Sequence, residues 1–175
     1  MKKEDRKIEK LTRAAMLSAL VCIATIVIPI PIPGGGYANA GDIVLLMTAY
    51  VLGPWLGAAA AGFGSCIADI ILGYSIYAPG TFIIKGLGAM GAGLVMRAAR
   101  KNMKNVLAMI VSGIVGELII IAGYYGYEYG FLQNAVGAAA GTIPNIIEGL
   151  AGIAGSTVLF PVMDRIIHSR KKNED

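Results

Sequence analysis

Residues 11–36 read LTRAAMLSALVCIATIVIPIPIPGGG, and no charged side chain occurs between Arg13 and Asp42. A helix needs about 20 predominantly apolar residues to span the hydrocarbon core of a bilayer. Residues 11–30 satisfy that length, and the run stops where Pro29, Pro31 and Pro33 lead into glycines 34–36, a cluster that cannot continue a helix. Upstream, residues 1–13 hold six of the chain's 15 Lys and Arg residues. A basic segment feeding an apolar run that ends in a Pro/Gly break is the signature of a first transmembrane crossing.

The rest of the composition agrees. Of the 175 residues, 56% are hydrophobic and 15% charged, well below the roughly 25% charged content of soluble domains. The mean hydropathy is +0.68. The 24 glycines would weaken a soluble helical protein, but small residues let helices approach closely in lipid, where packing drives association. Cys22 and Cys66 sit inside apolar runs without metal-binding spacing and read as free thiols. The pI near 9.1 does not point to nucleic acid, because the basic residues are not spread over a soluble face.

They fall instead into three clusters: residues 1–13, 97–104 and 165–172, with only Lys85 outside them. By the positive-inside rule these segments face the cytoplasm. Even numbers of crossings must separate them, and the spacing fits four between the first two clusters and two between the last two. The expected architecture is an all-α integral membrane bundle of about six transmembrane helices, over 11–30, 43–52, 56–72, 81–96, 106–124 and 143–167. Both termini would be cytoplasmic, and the chain would form one domain, 1–175, with tails at 1–10 and 168–175. The second segment is short for a full span, so it is expected to be tilted, re-entrant or covered by its neighbours. A cleaved leader competes for the N-terminus, with Ala38, Asn39 and Ala40 as an AxA-like site. Its apolar run exceeds the usual 7–15 residues, which favours a retained helix.

The outer loops, 31–42, 73–80 and 125–142, contain no Lys or Arg, and seven of the eight tyrosines lie in or beside them. An interfacial aromatic belt explains some of these, but a belt has two sides. Ionisable groups within or at the edge of the apolar runs are Asp42, Asp69, Lys85, Glu117 and Glu148, each expensive at membrane depth unless paired, hydrated or used. With Asn145 they map to the outer half. Asp69 and Lys85 read as a structural bridge across the hairpin between the third and fourth crossings, and Asp42 as a helix cap. Glu117 and Glu148 lack a second intramembrane cation and are the stronger functional candidates. Asn145 and Glu148, three residues apart, share a helix face. The candidate substrate-binding set is Tyr37, Asn39, Asp42, Tyr74, Tyr77, Lys85, Glu117, Tyr124, Asn145 and Glu148.

Other chemistries find no support. Gly86, Gly88 and Gly91 fit GxGxxG but lie mid-helix without a preceding strand, so they read as helix packing. There is no P-loop, so an ATP-driven step needs a partner. His168 has no Cys or His neighbour, and no Ser, His and Asp set converges, so neither a metal site, a cofactor site nor a catalytic centre is expected. Small-xxx-small pairs occur at Ala60 and Gly64, Gly64 and Ala68, and Ala151 and Gly155. The pair Ala15 and Ala19 follows the basic N-terminus, where a membrane partner could dock.

Residues 37–54, YANAGDIVLLMTAYVLGP, and 55–87, WLGAAAAGFGSCIADIILGYSIYAPGTFIIKGL, resemble the substrate-binding S components of energy-coupling factor (ECF) vitamin transporters. The similarity is to the branch that includes riboflavin-, hydroxymethylpyrimidine- and pyridoxine-type members, and it covers nearly the whole chain. The resemblance implies capture of an extracellular vitamin or precursor by a multi-pass protein of the bacterial plasma membrane. It implies association with a T subunit and two ABC ATPases, without enzymatic activity or nucleic acid binding. Ala15 and Ala19 match the family's AxxxA contact for the T subunit. Asn145 and Glu148 match helix-six positions that contact ligand in riboflavin-type members, where the second is a lysine. The acidic residue argues against a flavin, which is kept as an alternative, and for a vitamin B6 compound, with hydroxymethylpyrimidine next. A self-sufficient, proton-coupled secondary transporter relaying through Glu117 and Glu148 is the competing reading.

Overall fold

The computed structural model describes residues 3–32 and 36–172; the break at 33–35 and the outermost parts of both tails lie outside it, as does the His168 side chain. The order is α1 (Lys3–Val27), β1 (Ile30–Pro31), β2 (Tyr37–Ala38), α2 (Gly41–Ile71), α3 (Ala78–Ala99), α4 (Asn105–Gly126), a π-helical turn (Tyr127–Phe131) and α5 (Ala135–Lys172). Among the described residues, five helices are long and apolar enough to cross a membrane: Lys7–Val27, Gly41–Ile71, Ala78–Ala99, Asn105–Phe131 and Ala135–Met163. The chain is a multi-pass, all-helical bundle.

The second and third expected segments are the two helical legs of α2, joined at a sharp kink. Gly53 has φ 76° and ψ −177°, a conformation essentially reserved for glycine, and Pro54 follows it. A Cβ on Gly57 would lie 3.0 Å from the Cα of Ala49. Eight residues of straight helix advance about 12 Å, so the two legs double back on each other. The fold sits at the basic end of the bundle. A Cβ on Gly53 would lie 3.6 Å from Nη2 of Arg97, and one on Gly93 would lie 2.8 Å from the Cα of Pro54. Trp55, beside the turn, is 70% exposed.

The first leg is short because it is covered. Leu45, Leu46, Ala49 and Tyr50 are buried in a core shared with Ala89 and Ala92 of α3, Met109 and Ile120 of α4, and Phe160 of α5. Tyr50 donates to the carbonyl of Met109 at 3.0 Å and meets the Phe160 ring edge-on at 5.4 Å. Close approaches hold the outer helices on. A Cβ on Gly64 would come within 2.4 Å of the Ser18 carbonyl of α1, and one on Gly88 within 3.1 Å of the Gly116 carbonyl of α4. The GxGxxG match is therefore helix packing, as its context implied. Of the Ala151 and Gly155 pair, only Gly155 is an internal contact, set against Ile43.

The loops settle one point left open by the sequence and correct another. The proline-rich first loop is closed by a small antiparallel ribbon in which Ile30 pairs with Ala38 and Pro31 with Tyr37, so the AxA-like site belongs to folded structure. The last helix starts at Ala135, not 143, because the Asn134 side chain accepts a hydrogen bond from the Gly137 N–H at 2.8 Å and caps it. The glycines and alanines after Asn134 disguised that start as loop.

Gly53→Ala forces a Cβ into its positive-φ position and is expected to cost about 1–3 kcal/mol. Gly126→Ala, where a Cβ meets nothing within 4 Å and φ is −65°, is the control. Thermal unfolding in detergent should separate the two; equal midpoints would remove the fold at Gly53.

Candidate ligand-binding site

The polar groups gather at the end of the bundle opposite Arg97. Lys85 projects from α3 and is 5% exposed. Its Nζ lies 2.6 and 2.7 Å from the two carboxylate oxygens of Asp42, in the first turn of α2, and 3.1 Å from Oε1 of Glu148 on α5. The same ammonium stands 5.5 Å from the centroid of the Tyr124 ring on α4, within cation–π range. One cation thus joins four helices.

The entering loop is fastened to the same cluster. The backbone N–H of Asn39 donates to Oε2 of Glu148 at 3.2 Å, and the Asn39 side chain accepts from the Gly41 N–H at 2.7 Å. Gly41 has no room for a side chain, since a Cβ would lie 2.2 Å from Oγ1 of Thr25 on α1. This packing sets the start of α2 against the end of α1 and delivers Asp42 to Lys85.

Around this cluster lies a narrow, partly open cavity. Its wall includes Tyr37, Asn39, Tyr77, Lys85, Tyr124, Asn145 and Glu148 of the expected set. The remaining three stand behind or beside it. Asp42 supports Lys85 from below. Glu117 is packed against Gly149 and Gly152 of α5, and both its oxygens are buried without a hydrogen bond among the described residues. Tyr74 stacks on Tyr37 with ring centroids 4.7 Å apart.

Several roles differ from those expected. Lys85 takes Asp42 and Glu148 rather than Asp69, because the fold of α2 brings its first turn as well as its last to this level. Asp42 is consequently an ion-pair partner, not a side-chain cap, and Glu148 does have a cation. Asp69 instead accepts from the Tyr37 hydroxyl at 2.6 Å. The sequence also passed over Glu128, which lies among the aromatics of a segment taken for loop. The π turn places it in the wall, 4% exposed, with Oε1 accepting from the Tyr77 hydroxyl at 3.2 Å. A lone carboxylate flanked by tyrosines was the available signal. Thr25, Ser65, Thr81 and Gly141 complete the polar lining, with Thr81 and Tyr124 hydroxyls 3.0 Å apart.

The two loop tyrosines that hold carboxylates are kept as donors. Burial first, and then the charge of Asp69, push the Tyr37 phenol far above its ordinary range. Burial and then Glu128 push Tyr77 up to about 12. Both phenols therefore carry their protons at any physiological pH.

Comparison with known proteins fits this arrangement. The chain is 33% identical over 134 residues to an "Uncharacterized protein in gap 3'region" of Pyrococcus woesei, covering 76% of this chain and 86% of that one. It is 29% identical over 167 residues to the "Thiamine precursor transporter HmpT" of Lactococcus lactis subsp. cremoris (strain MG1363), covering 93% and 92%. Its fold matches the crystal structure of the S component for biotin from an ECF-type ABC transporter with a TM-score of 0.67 at 16% identity, covering 94% and 95% of the two chains. Residues 5–165 match the family described as "ECF-type riboflavin transporter, S component", and the chain belongs to that family of ECF S components.

Proposed function

We propose that the protein captures a water-soluble, nitrogen-containing aromatic vitamin precursor outside the cell and hands it to an ECF module of a T subunit and two ATPases. The transport role rests on membership of the S-component family. The observation that carries the cargo is the charge of the site. Five carboxyl groups, Asp42, Asp69, Glu117, Glu128 and Glu148, are buried in or behind the wall against one ammonium, and Lys85 is already paired with two of them. Among the described residues an anionic vitamin such as pantothenate finds no unpaired cation in this wall, whereas a neutral or cationic ring with N–H or O–H donors finds acceptors and aromatic faces.

Sequence reasoning placed a vitamin B6 compound first and hydroxymethylpyrimidine second. Similarity to a thiamine precursor transporter over nearly the whole chain reverses that order, and we take the aminopyrimidine as the leading cargo and pyridoxine or pyridoxamine as the next. Riboflavin, from the family's description, is the third.

The same reading takes the tyrosine-rich end as the outer one. The two legs of α2 then count as two crossings, giving six in all, with both termini in the cytoplasm of a cell membrane. In support, Arg97 lies against the α2 turn, Arg100 stands 5.5 Å from the Phe160 ring near the end of α5, and the basic start of α1 points the same way. Ala15 and Ala19 are exposed on α1 beside Met16, Leu20 and Ile23, and form the surface for the T subunit.

Calorimetric titration of the detergent-purified protein with hydroxymethylpyrimidine, pyridoxine and riboflavin tests the cargo, and the first should bind tightest. Asn145→Ala removes a wall donor and acceptor and should weaken that binding about tenfold, equal to about 1.4 kcal/mol, without changing the thermal midpoint. Saturation by riboflavin alone would overturn the assignment.

Ala15→Trp together with Ala19→Trp should abolish uptake into cells while leaving binding by the purified protein intact. Uptake that persists in the double variant would remove the docking surface. Uptake that persists after deletion of the ATPases would favour the proton-coupled secondary transporter.

A further inference from the structure

Asp69 and Glu128 lie on different helices, far apart in sequence, yet they are dressed alike. Each has one oxygen held by a loop tyrosine: Tyr37 donates to Oδ1 of Asp69 at 2.6 Å, and Tyr77 donates to Oε1 of Glu128 at 3.2 Å. Each has its other oxygen, Oδ2 or Oε2, buried with no hydrogen bond among the described residues. Both residues line the same cavity and are more than nine-tenths buried. Neither is needed to balance Lys85, which is bound to Asp42 and Glu148.

A buried acceptor left unpaired has given up its hydration without a replacement, and the cost is greater when it is charged. Two such atoms on residues that line one cavity form a pattern, and the local structure shows that it is built. The row Tyr37, Tyr74, Tyr77 bridges the two carboxylates, with ring centroids 4.7 and 6.3 Å apart along it. Glu128 is carried by the π turn, a geometry found disproportionately at functional sites, while Tyr125, Tyr129 and Phe131 around it remain exposed. Oε2 faces Gly141 of α5, where a Cβ would stand 3.2 Å from it. That wall position therefore presents backbone only.

We propose that Asp69 and Glu128 are the specificity-determining residues of the cavity, each reserving its free oxygen for a donor on the ligand, so that the site selects a ring bearing an amino group and a second N–H or O–H donor. The inference rests on the capture reading above and deepens it. The tyrosines fix which oxygen of each carboxylate is free, and the ligand's donors take the other. A ring that carries a carbonyl in place of its amino group turns an acceptor toward an acceptor and is rejected. Sites built to pair a polar group discriminate by far more than apolar pockets do, because the mispaired complex leaves buried groups unsatisfied.

The test is calorimetric binding of hydroxymethylpyrimidine, which carries an amino and a hydroxyl group, against its deaminated analogue with a ring carbonyl at the amino position. The proteins are the unmodified full chain, Glu128→Gln and Asp69→Asn, each with its thermal midpoint measured. Both substitutions keep shape and the tyrosine contact while allowing an acceptor to become a donor. The unmodified protein should prefer the amino compound by at least a hundredfold. At least one variant should lose tenfold or more in affinity for the amino compound and narrow or reverse the preference. Should either variant fail to fold, the other carries the same comparison. Amino-compound binding and preference unchanged in the folded variants would overturn the assignment of these two residues and leave the capture reading standing. Failure of the unmodified protein to bind either pyrimidine or pyridoxamine would overturn both.

Discussion

The buried ammonium of Lys85 is the constraint on which the polar half of the molecule depends. Removing charges from water costs several kcal/mol per ion, and the cost is offset only when partners and geometry are good. Here two carboxylates, one from the start of α2 and one from α5, reach the ammonium at hydrogen-bond distance, and the Tyr124 face covers it. Without the cation those carboxylates would face each other across the bundle. With it, α2, α3 and α5 are fixed in mutual register, and the loop is drawn in through Asn39. The site is thus assembled from segments far apart in sequence by one group rather than by a local motif.

That register is possible because the opposite half is packed without polarity. The first leg of α2 is enclosed by α3, α4 and α5, so its backbone needs no lipid-facing side chains and its length need not match the bilayer. The glycine contacts at positions 64, 88 and 116 bring helices close enough for their backbones to touch. The cavity rests on this dry core, and the carboxylates above it are screened from hydrocarbon by the helices that carry them. Tight apolar packing below and an acidic chamber above are two consequences of the same crossing geometry.

Much of this was legible in the residues. The apolar runs, the three basic clusters and the gap between the segments 43–52 and 56–72 are local signals with local causes, and they located most of the helices and their packing glycines. Seven of the ten expected site residues line the cavity: Lys85 and Glu148 because charged groups are costly in lipid, and the tyrosines and asparagines because they cluster toward the same end of the apolar runs. Pairing was not legible. Whether Lys85 meets Asp69 or Asp42 depends on helix rotation and on how sharply α2 folds, neither of which hydropathy carries. Glu128 escaped for a different reason: a π turn leaves no periodicity to read, and an acid among tyrosines looks like solvated loop. The early start of α5 was written in Asn134, but the small residues after it masked the cap.

The π turn at Tyr127–Phe131 has a consequence for how such a chamber can change its tastes. A π turn is in effect an α-helical turn with one residue inserted, and a residue occupies about 100° of the helical circle. Loss of that one residue would restore the ordinary winding and swing the following side chains by roughly that angle relative to α4, while the Lys85 cluster and the dry core beneath kept their contacts. A single insertion or deletion in the gene, rather than a series of substitutions, could therefore add or withdraw an acid from the chamber wall. Diversity of cargo on one membrane scaffold has an inexpensive route in such a hinge of register.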